Sequence, residues 1–346
     1  MMTKRISKLL LALMLFSTTL ACRKGEVVNN LKACPIKITM LIDEQGFDDN
    51  FPATATWQAI AKYLIDHGMN LDCAKYVQVS ETKQYDTVIS AVIYDGSDLL
   101  VFSSESFRDS IVKAAKKNTS QKFMTIGFLV DAPNIASVEF SKKEGSYLLG
   151  LASGLKAQES GKSTIAIVNL AGSDKYSDYI KGFTSGVKEI MPTANIVTVE
   201  LKSLQKDKVA TVFTEELFGY EPLVIFNPIV ETNDLLYDLA LKRYEAGHKH
   251  YLLGLNPSYY SKGLIDETQS LVLTSYAGDY DVAVSTVFNT LLDATFHGGA
   301  KNAIKFTILN NGVSVILIPD RNLSEQQINT IKEYINRIKT GELSID

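Results

Sequence analysis

The sequence predicts an α/β protein of two lobes, each a doubly wound parallel sheet, with a cleft between them. Three observations predict it. Short apolar runs alternate with amphipathic helical stretches along nearly the whole chain, the pattern of βα units in a parallel sheet. The alternation forms two similar sets, one on each side of a helical stretch over Glu144–Ala157. Asp43 ends an apolar run and opens a polar loop before a helical stretch, where open α/β sheets hold ligands.

In order along the chain, Ile36–Ile42 is almost continuously apolar, as in a strand covered on both faces. Thr54–His67 has helical spacing and stops at Gly68. Tyr76–Val79 reads as a strand, Lys83–Asp95 as a helix ending at Gly96, Leu99–Phe102 as a strand, Ser106–Lys117 as a helix and Phe123–Phe128 as a strand. In the second set, the helix Glu144–Ala157 carries Gly150 and Gly154 on one face, suited to close packing. Strands are expected at Thr164–Asn169, Ile196–Val199, Leu223–Phe226, Tyr251–Gly254 and Leu271–Tyr276. Helices are expected at Lys175–Ile190, Lys208–Leu217, Asn233–Ala246 and Asp281–Ala294. Phe306–Leu309 and Val313–Leu317 read as a hairpin across Asn310-Asn311-Gly312, a strong turn signal. Ser324–Lys339 closes the chain as a helix with Ser324 as its N-cap.

The first residues read as an export signal. Lys4, Arg5 and Lys8 precede an apolar run, Leu9–Phe16, that is too short to span a bilayer. Small residues then lead to Ala21-Cys22, which looks like the cleavage and lipidation point of a bacterial lipoprotein; a simple secreted protein is the alternative. Residues 1–21 are thus expected to be a signal peptide and 22–34 a tether. Loss of the three basic residues takes the formal charge from −4 to −7. With no basic patch, the body excludes nucleic acid as a partner. Cys34 and Cys73 each precede an expected strand, so a disulfide joins them if those strands are parallel neighbours; two buried thiols are the alternative.

Other motifs carry little. Gly161-Lys162-Ser163-Thr164 resembles the tail of a phosphate-binding loop, but it precedes a strand and lacks the earlier glycine. His248 and His250 have no nearby acidic or thiolate partner for a metal. No serine lies in a Gly-x-Ser-x-Gly turn. No catalysis, metal or cofactor is expected.

Ile38–Trp57, Val130–Val138, Glu144–Gly150, Lys181–Val187, Leu273-Thr274-Ser275, Asp281–Val284 and Lys339–Leu343 occur in an order and spacing that resembles the basic membrane lipoprotein (BMP) family, PnrA-like purine-nucleoside-binding lipoproteins of ABC transporters. The resemblance spans about residues 36–345. It implies a type I periplasmic-binding-protein-like fold, with an N-terminal lobe of 35–140 plus 277–297 and a C-terminal lobe of 141–276 plus 298–346. It also implies a small polar ligand, a nucleoside among the candidates, an ABC permease as partner, and a monomer anchored by lipid on Cys22 at a periplasmic or cell surface.

The ligand residues that the resemblance implies transfer unevenly. Asp43 matches the acid that bonds the base, and Phe226 matches one stacking ring. The other ring and the Asn after it fall on Pro52 and Ala53, with Phe51 one residue earlier. The ribose-binding Asp falls on Asn256, and a Lys falls on Gly278. An amide accepts hydroxyl hydrogen bonds more weakly than a carboxylate. The expected ligand set is Asp43, Asp49, Asn50, Phe51, Ser103, Ser104, Phe226, Asn227, Asn256 and Tyr276, with Asp48, Glu105, Tyr259 and Asp279 nearby. Asp48 and Asp49 read equally as helix caps, Trp57 as core packing, and Tyr259-Tyr260 as a rim or an exposed loop. The expected function is a solute-binding lipoprotein of an ABC-type importer with an altered pocket. The alternative is a surface lipoprotein that keeps the scaffold for protein or matrix binding, or for sensing.

Overall fold

The computed structural model describes residues 34–47, 51–319 and 321–345 of the chain. The first set of elements is β1 (Ile38–Ile42), α1 (Phe51–Asp66), β2 (Ala74–Gln78), α2 (Tyr85–Tyr94), β3 (Leu99–Phe102), α3 (Arg108–Lys117), β4 (Lys122–Ile126) and β5 (Ile135–Phe140). The second is α4 (Lys142–Ser160), β6 (Thr164–Leu170), α5 (Ser177–Ile190), β7 (Asn195–Leu201), α6 (Lys206–Val212), β8 (Val224–Phe226), α7 (Asn233–Glu245), β9 (Tyr251–Gly254), α8 (Tyr259–Lys262) and β10 (Val272–Gly278). Then follow α9 (Tyr280–Leu292), β11 (Ile304–Phe306), β12 (Val313–Val315) and α10 (Glu325–Lys339).

Two six-stranded sheets result, ordered β11-β5-β4-β3-β1-β2 and β12-β10-β9-β8-β6-β7. All named pairings are parallel except β10 with β12. Each sheet is covered on both faces. In the first, Ile38, Met40 and Ile42 pack with α1 and α9 residues such as Ile60 and Phe288. Leu41, Leu100 and Phe102 pack on the other face with α2 and α3 residues such as Ile89 and Ile111. In the second, Ile165, Ile167 and Phe226 face α4, α5 and α10, while Ala166, Val168 and Ile225 face the layer containing Val209 and Leu236. The period-2 alternation of a strand sends successive side chains to opposite layers.

Both sheets wind the same way. The chain leaves β1 for β2 on one side and returns to β3 on the other, and it leaves β6 for β7 and returns to β8. Each sheet therefore has a switch point beside its first strand, the place where a crevice opens beyond the carboxyl ends.

The chain passes between lobes three times, from β5 to α4, from β10 to α9 and from β11 to β12. The last passage corrects the expected hairpin. The turn itself forms: Asn310 Oδ1 accepts from the Thr307 and Gly312 amides at 2.7 and 3.3 Å, and Asn311 takes φ 59°. The strands on either side diverge, β11 to pair with β5 and β12 to pair with β10. Ile304–Phe306 thus lies in the first sheet, although residues 298–346 were expected in the second lobe. Ala277 and Gly278 still pair in the second sheet. The strand β5 was also not anticipated from the sequence.

Cys34 and Cys73 form a disulfide with Cα atoms 5.2 Å apart. They sit at the amino ends of the parallel neighbours β1 and β2. Closure of a 39-residue separation stabilises such a domain by roughly 2–4 kcal/mol through the unfolded chain.

Helices α4 and α5 approach almost backbone to backbone. A Cβ at Gly150 would lie 2.3 Å from the Phe183 carbonyl oxygen, and one at Gly186 2.1 Å from that of Tyr147. At α10, Ser324 and Gln327 form a reciprocal capping box.

Candidate functional site

The carboxyl ends of both sheets face one cleft of about 950 Å³. Its first-lobe wall begins at β1, whose end places Asp43 in the cleft at 4 % exposure. Ser106 Oγ donates to Asp43 Oδ2 at 3.3 Å, and the Gln45 amide donates to Oδ1 at 3.2 Å. Ser106 and Ser104 hydroxyls lie 2.8 Å apart, and the Tyr85 hydroxyl, 3.2 Å from Ser106 Oγ, donates to Glu44 Oε2 at 2.9 Å. Burial pushes the Tyr85 phenol up to about 12, so it stays protonated and can donate. The result is a wall of oriented acceptors at the switch point between β1 and β3.

Ser103, the next residue after β3, lines the same wall. Its Oγ is buried with no hydrogen-bond partner among the described residues. An unmet buried hydroxyl costs about 1–3 kcal/mol, which a polar group of a ligand would offset.

Rings from both lobes complete the cleft. Phe51 opens α1 and meets Tyr280 edge-on at 5.9 Å, and Phe140 lies 5.0 Å from Tyr280. Tyr179 and Tyr276 come from the second lobe, and Tyr259 lines the same space. Burial pushes the Tyr179 phenol up to about 12 and those of Tyr276 and Tyr280 well above the usual range. All are neutral at physiological pH, offering a face for stacking and a hydroxyl for hydrogen bonds.

Of the expected ligand residues, Asp43, Phe51, Ser103, Ser104, Asn256 and Tyr276 line this cleft. Asp49, Asn50 and Cys22 lie outside the described residues. Phe226 does not reach the cleft. It is fully buried and stacks on Phe183 at 4.5 Å, because it shares the helix-facing side of β8 with Val224. Asn227 is also buried away from the cleft. It donates to Thr232 Oγ1 and Asn233 Oδ1, both at 2.9 Å, and fastens the loop that leads into α7.

Asn256 lines the cleft, yet its Oδ1 accepts from the Ser258 amide at 2.9 Å and the Ser258 hydroxyl at 2.6 Å. That acceptor serves its own turn first. At Gly278 a Cβ would sit 3.0 Å from the Phe140 ring, so this ring occupies the space a side chain would need. Trp57 packs against the first-lobe core and meets Tyr76 edge-on at 5.3 Å. Asp279 caps α9 through the Val282 amide at 2.9 Å.

Phe140, Lys142, Tyr179 and Tyr280 were not among the residues expected from the sequence. Three of them flank lobe passages: Phe140 and Lys142 the first, Tyr280 the second. The signal that could have found them is an aromatic or charged residue bordering a passage, legible once the passages are placed.

No group of His, Cys, Asp and Glu among the described residues could hold a metal ion. A model of the Bmp family, described as ABC transporter substrate-binding protein PnrA-like, matches residues 36–346. The chain belongs to this family. Bmp proteins of this kind are solute-binding components of ABC transporters and not enzymes. They bind small ligands, work with permeases and act outside the cytoplasmic membrane.

Among curated relatives, the chain is 22% identical to the "CD4+ T-cell-stimulating antigen" of Listeria innocua, over 89% of this chain and 87% of that one. It is 22% identical to the protein of the same name from Listeria monocytogenes, over 99% of each. Among solved structures, an ABC transporter solute-binding protein from Aeropyrum pernix superposes with a TM-score of 0.67 at 16% identity, over 90% of this chain and 93% of that one. A transcriptional activator of the comK gene from Bacillus halodurans reaches 0.69 at 14% identity, over 89% and 99%. These likenesses show the type I periplasmic-binding-protein fold. No helix among the described residues is long and apolar enough to cross a membrane.

Proposed function

We propose that this Bmp-family protein is a monomeric, lipid-anchored receptor that captures a small polar, ring-bearing solute of nucleoside size and delivers it to an ABC permease. One observation carries the reading. Asp43 and the free Ser103 hydroxyl face the same cleft as Phe51, Tyr179, Tyr276 and Tyr280. Stacking on an aromatic ring stabilises a base by about 1–3 kcal/mol and tolerates different rings. A buried carboxylate selects N–H donors at the ring edge. The cleft's volume, about 950 Å³, falls in the range of small-molecule sites. Cys22 would supply the anchor, and Asp49 and Asn50 further polar contacts at the loop.

A second reading, a scaffold kept for a protein or matrix partner, gains support from Asn256 and Gly278. The first has its acceptor engaged locally, and the second offers no side chain. Isothermal titration with adenosine, guanosine and inosine, alongside mass spectrometry of molecules retained on purification, separates the two. Micromolar or tighter binding of one nucleoside, or a retained ring compound, is the expected result. An empty protein that takes up none of the three supports the second reading.

A further inference from the structure

Charge on the cleft walls is divided by lobe. Asp43, Glu44 and Glu105 are the carboxylates among the described lining residues, and all come from the first lobe. Lys142, Lys175 and Lys262 are the cations, and all come from the second.

Most of these charges are already engaged within their own lobe. Arg108 grips Glu105 through Nε at 3.0 Å and Nη2 at 2.5 Å. Lys262 Nζ lies 2.6 Å from Asp234, and Lys175 Nζ lies 3.7 Å from Glu231. Lys142 differs. It makes no ion pair among the described residues, and its ammonium sits 5.7 Å from the centroid of the Tyr179 ring. Tyr179 is itself a cleft residue. Lys142 is the first residue of α4, directly after the first lobe passage, with Phe140 two residues before it.

We propose that the solute carries an anionic group and that Lys142 receives it. The inference rests on the reading of the cleft as a site for nucleoside-like solutes and names their class: ring compounds with N–H donors at one end and a phosphate or carboxylate at the other. Asp43 takes the donor end on the first lobe, the rings hold the middle, and Lys142 takes the anion on the second. The chain as a whole is acidic, with a formal charge of −4, so an anion is received only where the local wall is positive. A mobile ammonium on a four-carbon stem suits a phosphate as a point charge. A fully solvated surface lysine with no ligand role is the competing account.

The experiment compares adenosine with adenosine 5′-monophosphate, and a neutral aromatic amide with its carboxylate analogue. Binding is measured by titration calorimetry on the full-length protein in detergent, on the wild type and on Lys142→Met and Lys142→Arg. The wild type should bind the monophosphate about tenfold tighter than the nucleoside, the effect of one charge-assisted contact. Lys142→Met should remove that preference by weakening the monophosphate about tenfold more than adenosine, and Lys142→Arg should restore most of it. The preference should shrink as salt rises from about 50 to about 500 mM. A preference for the carboxylate over the amide without one for the phosphate identifies the anion as a carboxylate and supports the proposal. Adenosine binding as tightly as its monophosphate, with the amide equal to its carboxylate, overturns the proposal and leaves the nucleoside-like reading standing. A preference that survives Lys142→Met overturns it too. If none of the four probes binds, both readings fall together.

Discussion

Phe226 is the last residue of β8 and Asp43 the first after β1, and that one-residue difference separates core from cleft. A side chain within the strand is committed to one layer, whereas the residue beyond the strand end is free to turn into the crevice. Phe226→Ala should lower unfolding free energy by about 3–5 kcal/mol, as for a large ring removed from a packed core, and leave solute affinity nearly unchanged. Asp43→Asn should weaken solute binding about tenfold or more, since a charge-assisted acceptor becomes a neutral amide. Urea unfolding and calorimetry on both variants check the contrast; equal loss of affinity in Phe226→Ala would place its ring in the site after all. Asp43 and Ser103, each the next residue after a strand, were legible in the sequence because the strand pattern locates them directly, whereas Asn256, two residues past β9, came from the family resemblance. Phe140, Lys142 and Tyr280 were not, because their place depends on which lobe each passage joins. Phe226 misled because its ligand role came from the family resemblance, and a three-residue strand has too little alternation to show which layer its last ring enters.

His250 gives a second test at this scale. It is 2 % exposed, with Nδ1 2.7 Å from the Pro222 carbonyl oxygen and Nε2 accepting from Arg243 Nε at 3.1 Å. Both contacts require the neutral ring with the proton on Nδ1. Burial is the main cause holding its pKa below the ordinary 6.5, and the Arg243 charge adds to it. The unfolded chain therefore binds the proton first. Stability is full above pH 6.5 and falls as pH drops through the depressed native value. His250→Gln, which keeps a donor and an acceptor without titrating, should flatten that decline in urea midpoints measured between pH 7.5 and 5. An unchanged slope would assign the decline to carboxylates instead.

At the scale of elements, the pairing of α4 with α5 depends on small residues. Gly150 and Gly186 each face a backbone carbonyl of the other helix, at 2.3 and 2.1 Å from where a Cβ would stand. A methyl group cannot be absorbed by a rotamer change there, because the neighbour is backbone. Gly150→Ala gains about 1 kcal/mol of helix propensity but forces the helices apart, so the net effect should be a loss of about 1–3 kcal/mol. Gly186→Ala should behave alike, and the double variant should lose less than the two combined, since one separation relieves both clashes. Thermal unfolding of the three variants measures it. The helix face carrying Gly150 and Gly154 was legible from spacing, but its partner was not, since sequence alone does not say which helix lies opposite. The turn at Asn310–Gly312 teaches the same limit. Its chemistry was read correctly, while the destinations of its flanking strands depended on open edges in two different sheets.

At the scale of the whole molecule, three chain passages join lobes that line one cleft, with carboxylates on the first wall, lysines on the second and aromatic rings on both. Such an arrangement has two favourable states, open and closed around a solute, and the solute shifts the balance only through contacts to both walls. Asp43 supplies a contact on one side and Tyr179 and Tyr276 on the other, so a solute that touches both gains most when the lobes approach. A compact chain of this length has a radius of gyration of about 20 Å. Solution scattering should show that value falling when a retained or titrated solute is added at saturating concentration. The same solute added to Asp43→Ala should produce little compaction even at concentrations that restore occupancy, because one wall has lost its grip. Phe226→Leu, altered in the core and not in the cleft, should compact like the wild type. Binding without compaction in the wild type would mean that the lobes are already closed or that the solute rests on one wall, and either outcome removes lobe closure from the mechanism of delivery.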